Sequence, residues 1–490
     1  MINIANVTPL RRPTEISHTV TAKELYFLLA AELPERAALM QSRQHLTQRI
    51  AEARKLPADL PDAVEDLYAW MDERHRVIGN AYREYLAERK SGAPRRYFTN
   101  KSHALYFLKA AAPTKLADGS WLYGLLDQWQ DIRFHGLIRT YLEELGDGVA
   151  GKNHVVLYEQ LLTSHGCQGW ESLAEEHFVQ GAIQFSLAHN VQNFLPEVIG
   201  YNLGYEQLPL HLLITAFELN ELGIDPYYFT LHVTVDNADT GHARKAVQSL
   251  IKLMPQLEDG GEFYRRVQEG YRLNDLGANT NSIIAAFDLQ EELIEILQTR
   301  SVVGQNMHSD YCRVAGRTVN QWLTDPIEIP QFLQALETAG WIKRGEPAEN
   351  SRFWRLVQGE RAKMFGVFSE YEQQILSDWI AAPRVAEAGE ENRPSARVLS
   401  FRARQRGLAV PEARAPQNSG SRGLFRHHRL ARDDAHGDLF NPELRELEQR
   451  LAALGSKQEM MRALIGLMSP ARHHNPTGLM ATRMFAKLYS

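Results

Sequence analysis

Cysteine is nearly missing from this chain. Cys167 and Cys312 are the only two among 490 residues, and no CxxC occurs. A disulfide framework is therefore not implied, and the thiol usage fits a reducing, cytoplasmic compartment. Long apolar runs are missing too. No stretch approaches the ~20 residues that a spanning helix needs. The opening MINIANVTPLRRPTEISHTV lacks the apolar centre of a secretory signal. No membrane association is expected. Charge of one sign is also scarce: a net charge of −6 over this length gives little bulk attraction for nucleic acid or anionic lipid. Alternating, strand-like runs are absent, which leaves an all-α reading.

What the chain does have is helical periodicity, broken by Pro and Gly. The length exceeds one ordinary core, so two or three domains are expected. Helices are read over Thr21 to Met40 with an interruption at Pro34, then from about Glu35 to Leu56, and from roughly Pro61 to Arg89. RKSGAPRR (89–96) reads as a loop with solvated arginines. Further helices follow over Ser102 to Ala112, Trp121 to Leu145 and residues 171–192. APTKLADGS, carrying Asp118 and Gly119, is the loop between the first two. Residues 382–440 change character, with Pro, Gly, Ala and Arg dominating, and read as a flexible linker. From Asn441 an amphipathic pattern returns.

The richest candidate stretch is YYFTLHVTVDNADTGHA, Tyr227 to Ala243. Steps of four and seven put His232, Asp236 and Asp239 on one face of a helix, and His242 follows beside them. Imidazoles and carboxylates so spaced suit iron, manganese or zinc. Glu144 and His154 flank a Gly-rich wedge, LGDGVAGKN. They converge if the chain bends there; a capped helix followed by a surface histidine is the plainer reading. Glu206 sits among Leu203, Tyr205 and Leu208. A buried acid must be paired, protonated or on a metal, and a core salt bridge is an equal alternative. Glu218 and Glu221 read as an exposed helix face. His308, Asp310 and Cys312 lie close together without enough partners for a zinc site.

EELGDGVAGKNH followed by VVLYEQLL, then GYNLGYEQLP, then YYFTLHVTVDNADTGH resemble the iron-containing redox enzyme family of heme-oxygenase-like di-iron oxidases and oxygenases. The resemblance covers about Trp121 to Leu257. It implies an all-α, heme-oxygenase-like helical bundle with additional N- and C-terminal helices. The expected division is an N-terminal helical region (1–110), the metal-binding core (111–258), a C-terminal helical region (259–381), the linker (382–440) and a helical tail (441–490). The family's Glu–x9–His pair falls on Glu144 and His154, its mid-chain Glu on Glu206, and its His–x3–Asp on His232 and Asp236. The last position of the motif is Asp239 here, where the family has His, and His242 stands three residues on. The ligand set so implied is Glu144, His154, Glu206, His232, Asp236, Asp239 and His242. It would hold Fe(II), two per chain, with O2 as co-substrate. The implied partners are a small organic substrate, an electron donor and a second copy of the chain in a homodimer. A metal-independent enzyme of the thiaminase type, using Cys167 or Cys312, and a non-catalytic helical interaction protein are the alternatives.

Overall fold

The structure, a computed structural model, describes residues 20–235, 241–255, 260–359, 361–383 and 442–489. Helices run almost without interruption along them. The first four are α1 (Ala22–Leu29), α2 (Arg36–Ala53), α3 (Leu67–Lys90) and α4 (Lys101–Lys115). A 3-10 stretch, Ser120–Gln128, leads to α5 (His135–Glu144), α6 (His154–Ser164) and α7 (Val179–Tyr205). Next come α8 (Leu210–Glu221), α9 (Tyr227–Val235), α10 (His242–Leu253) and α11 (Gly260–Arg272). Then follow α12 (Thr280–Ala285), α13 (Leu289–Gly304), α14 (Val319–Trp322), α15 (Ile329–Thr338), α16 (Arg352–Val357) and α17 (Glu370–Ala381). The last three are α18 (Pro442–Ala452), α19 (Lys457–Leu467) and α20 (Pro476–Tyr489). Among the described residues the strands are two short ones, β1 (Arg313–Val314) and β2 (Arg317–Thr318), paired antiparallel. The all-α class holds, and no described helix is long and apolar enough to cross a membrane.

Helix α7 is folded on itself. Tyr201 Oη donates to Gln180 Oε1 at 2.9 Å, although 21 residues of straight helix would span roughly 31 Å. The break lies at Asn190 and Phe194, whose φ angles of −127° and −124° leave the helical range. Pro196 follows directly, and its ring cannot accept a straight helix through the carbonyl four residues back. The two arms of α7 pack against α11 and the 120–128 stretch.

Two apolar cores result. The first gathers α1, α2, α5, α7, α10 and α11 with side chains of α18, α19 and α20, including Met461, Met468 and Phe485. The second gathers α4, α6, α8 and α13 to α17, with Tyr158, Tyr228, Phe229 and Cys167. The 384–441 stretch, which contains most of the linker reading, lies outside the described residues.

Several local expectations are corrected. Tyr227 to Ala243 is not one helix: Gly241 is extended (φ −79°, ψ −170°) and caps α10. Glycine has the most conformational freedom to lose in a helix, so the break falls there. Helix α10 stops at Leu253, just before Pro255, and α11 starts at Gly260. Glu218 is fully buried. It accepts hydrogen bonds from the backbone N–H groups of Arg96, Tyr97 and Phe98 and from Tyr85 Oη. Glu221 pairs with Arg89 at 2.6 Å. The 89–96 loop thus wraps the end of α8, and Arg89 and Arg95 are largely covered rather than solvated.

Candidate metal centre

The seam between the two cores is lined by acids and imidazoles. Asp118, on the loop after α4, is brought to the last turn of α5 by Gly119. That glycine has φ +75°, and a Cβ on it would stand 2.8 Å from Glu144 Cβ. Glu144 ends α5 and His154 begins α6. Between them Gly146 (φ +63°) folds so tightly that a Cβ would meet Lys152 C at 2.4 Å. The bend converts two sequence-distant helix ends into neighbours. Glu206 is the C-terminal cap of α7, His232 lies on α9, and His242 is the first residue of α10.

Two groups form, each with ligand atoms within 4.8 Å of one another: Asp118, Glu144, His154 and His232; and Glu144, Glu206 and His242. All six side chains are buried. In the first, His154 Nδ1 stands 2.5 Å from Glu144 Oε2 and 3.4 Å from Asp118 Oδ2, without hydrogen-bond geometry to either. His232 Nε2 lies 3.1 Å from Asp118 Oδ2. In the second, His242 Nδ1 lies 3.1 Å from Glu206 Oε2 and 3.2 Å from Glu144 Oε1. Glu144 therefore turns one oxygen to each group.

The far nitrogens fix how the rings present themselves. His232 Nδ1 is 2.8 Å from the Tyr228 carbonyl oxygen. A carbonyl only accepts, so that nitrogen carries hydrogen and Nε2 is the one turned on Asp118. His242 Nε2 is 2.8 Å from Glu143 Oε2, so its Nδ1 is the one turned on Glu144 and Glu206. Backbone carbonyl and carboxylate anchors of this kind orient metal-binding histidines. Glu143 is in turn held by Lys245 at 2.6 Å and Arg139 at 3.0 Å. Tyr228 Oη donates to Asp118 Oδ2 at 2.7 Å.

Electrostatics of the metal-free protein follow. Burial opposes ionisation of Glu144, but the nearby charge of His154 and contact with His242 hold it down at about 2. Asp118 lies well below the usual carboxylate range: its burial cost is outweighed by His154, His232 and Lys115. Burial disfavours a charged His154, yet the charge of Glu144 raises it to about 10. Glu143, also opposed by burial, is brought to about 2 by His242, Lys245 and Arg139. Neither Asp118 nor Glu144 has a Lys or Arg in ion-pair contact among the described residues. Asp118 Oδ1 is buried without a hydrogen-bond partner. Buried carboxylates are costly unless their charge is balanced, and here imidazoles stand where a Lys or Arg would. The His232 and His242 nitrogens turned on these acids fit an intervening cation, and the all-oxygen-and-nitrogen donor set suits iron or manganese.

The structure thus gathers Glu144, His154, Glu206, His232 and His242. Asp236 and Asp239 lie outside the described residues. Sequence reasoning missed Asp118 and Glu143 as members of the site. A signal existed for Asp118: it is the one acidic residue between Glu88 and Asp127, in an apolar-rich stretch. Glu143 had none, since only the fold shows which of two adjacent acids faces inward.

Side chains converge from facing helices on a buried acid–imidazole cluster, an arrangement that could hold a metal ion within a helical bundle. Residues 105–275 match the family model described as iron-containing redox enzyme, a span that contains both groups entire. No curated protein and no solved structure matches the chain.

Proposed function

We propose that this protein is an iron-dependent oxidoreductase that would hold two ferrous ions, with Glu144 common to both sites, and uses O2 to oxidise a small organic substrate. The observation that carries the reading is Glu144 itself, whose Oε2 and Oε1 face His154 and His242 respectively. Asp118, Glu144, His154 and His232 would hold one ion; Glu144, Glu206 and His242 the other. Asp236 and Asp239 remain in the proposed ligand set. Ferrous iron at such a site supplies electrons for reduction of O2. The chain's own part is positioning. Tyr228 fixes both His232, through its carbonyl, and Asp118, through its hydroxyl. Glu143 fixes His242, and the surrounding cores keep water away. Hydroxylation, desaturation, C–C cleavage and N-oxidation all remain within this class. An electron donor, a homodimer and a cytoplasmic setting belong to the same proposal.

The thiaminase-type alternative loses one of its two candidate nucleophiles. Cys167 is fully buried against the carbonyls of Leu105 and His165, and burial pushes its thiol up to about 12. Nucleophilic thiols are exposed and low in pKa.

The test is anaerobic Fe2+ titration of metal-free protein, followed by O2 uptake. Two irons per chain and O2 consumption are expected. One iron per chain removes the second site from the reading, and no iron removes the reading.

A further inference from the structure

The C-terminal helices lie beyond the residues that match the iron-containing family, yet they reach its metal centre. Helices α19 and α20 are joined by a short turn, Met468 to Asn475, that caps the seam. Tyr141 Oη, on α5, donates to the Met468 carbonyl at 2.6 Å. His473, in this turn, is 3% exposed. Its Nδ1 stands 3.1 Å from Asn153 Nδ2.

Asn153 is the link. It is fully buried and caps α6, where its Oδ1 accepts from Val156 N at 3.1 Å. Its Nδ2 also donates to the Leu145 carbonyl at 3.3 Å. These two backbone contacts fix which end of the amide is nitrogen. His473 Nδ1 is therefore an acceptor, and the ring is neutral. Asn153 precedes His154 and Leu145 follows Glu144. One buried amide thus ties together the end of α5, the start of α6 and the C-terminal turn.

We propose that His473 is a positioning residue of the metal centre, supplied by the C-terminal segment. Its Nδ1, through Asn153, sets the spacing of Glu144 and His154. The proposal rests on the metal reading above. It predicts an unequal effect, because His154, next to Asn153, belongs to one group alone while Glu144 is shared by both. Loss of its acceptor weakens the Asp118–Glu144–His154–His232 group most and the Glu144–Glu206–His242 group less.

The experiment is anaerobic Co2+ titration of the full chain, read by visible absorption, for wild type, His473→Ala, His473→Asn and His473→Gln. Wild type is expected to take up two equivalents. In H473A one of the two steps should weaken about tenfold, the usual scale for an outer-sphere partner, and the other by clearly less. Asn offers a carbonyl oxygen near the place of Nδ1, so H473N should recover most of the loss. Gln places its oxygen further out and should not. A merely structural role would weaken both steps equally and would not separate Asn from Gln. If H473A does not fold, the contrast between H473N and H473Q carries the test. Wild-type protein that binds no Co2+ overturns the metal reading, and this inference with it. Two equivalents in wild type, with H473A equal to wild type or H473N no better than H473Q, overturns this inference alone.

Discussion

The second core and the seam both bury acids, but they neutralise them differently. In the second core Glu218 receives three backbone N–H groups and a tyrosine hydroxyl. Glu292 meets Lys109 at 2.9 Å and Tyr371 Oη at 2.7 Å. These are closed arrangements, with donors enough for the charge. At the seam, Asp118 and Glu144 face imidazoles instead. The difference teaches that a buried carboxylate is no metal signal in itself. What marks the seam is imidazoles already anchored on their far side, with the other nitrogen turned on acids.

The sharpest way to break that contrast is Glu144→Ala. It removes the residue common to both groups, and iron affinity should fall by at least about a hundredfold at both, measured by anaerobic titration. Retention of two irons would erase the distinction between seam and core. Glu218→Ala should do the opposite. It strands three backbone donors, each costing about 1–3 kcal/mol, so urea unfolding should show a loss of about 3 kcal/mol or more. The folded fraction should still bind iron as wild type does. Iron itself should stabilise the wild type, by about 2.7 kcal/mol at a hundred times its Kd. A thermal melt with and without chelator reads this, and E144A should show no such gain.

Smaller effects sharpen the picture. Glu143→Gln weakens the anchor of His242 and should cost about tenfold in the Glu206–His242 step alone. Cys167 tests the second core. Its thiol, raised to about 12 by burial, stays protonated at pH 8, where an unfolded cysteine is partly thiolate. A thiol reagent should label it only slowly in the native protein and quickly in urea. Fast native labelling would mean that this core opens readily.

Much of the helical architecture could be read from apolar spacing, because a helix face is a local, periodic property. Glu144, His154, Glu206, His232 and His242 were legible as residue types. Their grouping was not. His232 and His242 were expected along one helix face, but extended Gly241 separates α9 from α10, and each histidine joins a different group. Glu218 was misread because its burial is produced by the 91–98 loop, which covers it from more than a hundred residues away in sequence.

The chain alone decided that the protein is all-α, poor in thiols, and supplied with acids and imidazoles at helix ends. Those follow from composition and from contacts a few residues apart. The tertiary structure alone decided that Asp118 joins the site, that Glu144 spans both groups, and that the C-terminal turn reaches Asn153. Each depends on chain bends at Gly119, Gly146 and the Asn190–Phe194 break, and on hydrogen bonds such as those joining residues 320 and 327 apart. No periodicity within a single helix records such distances.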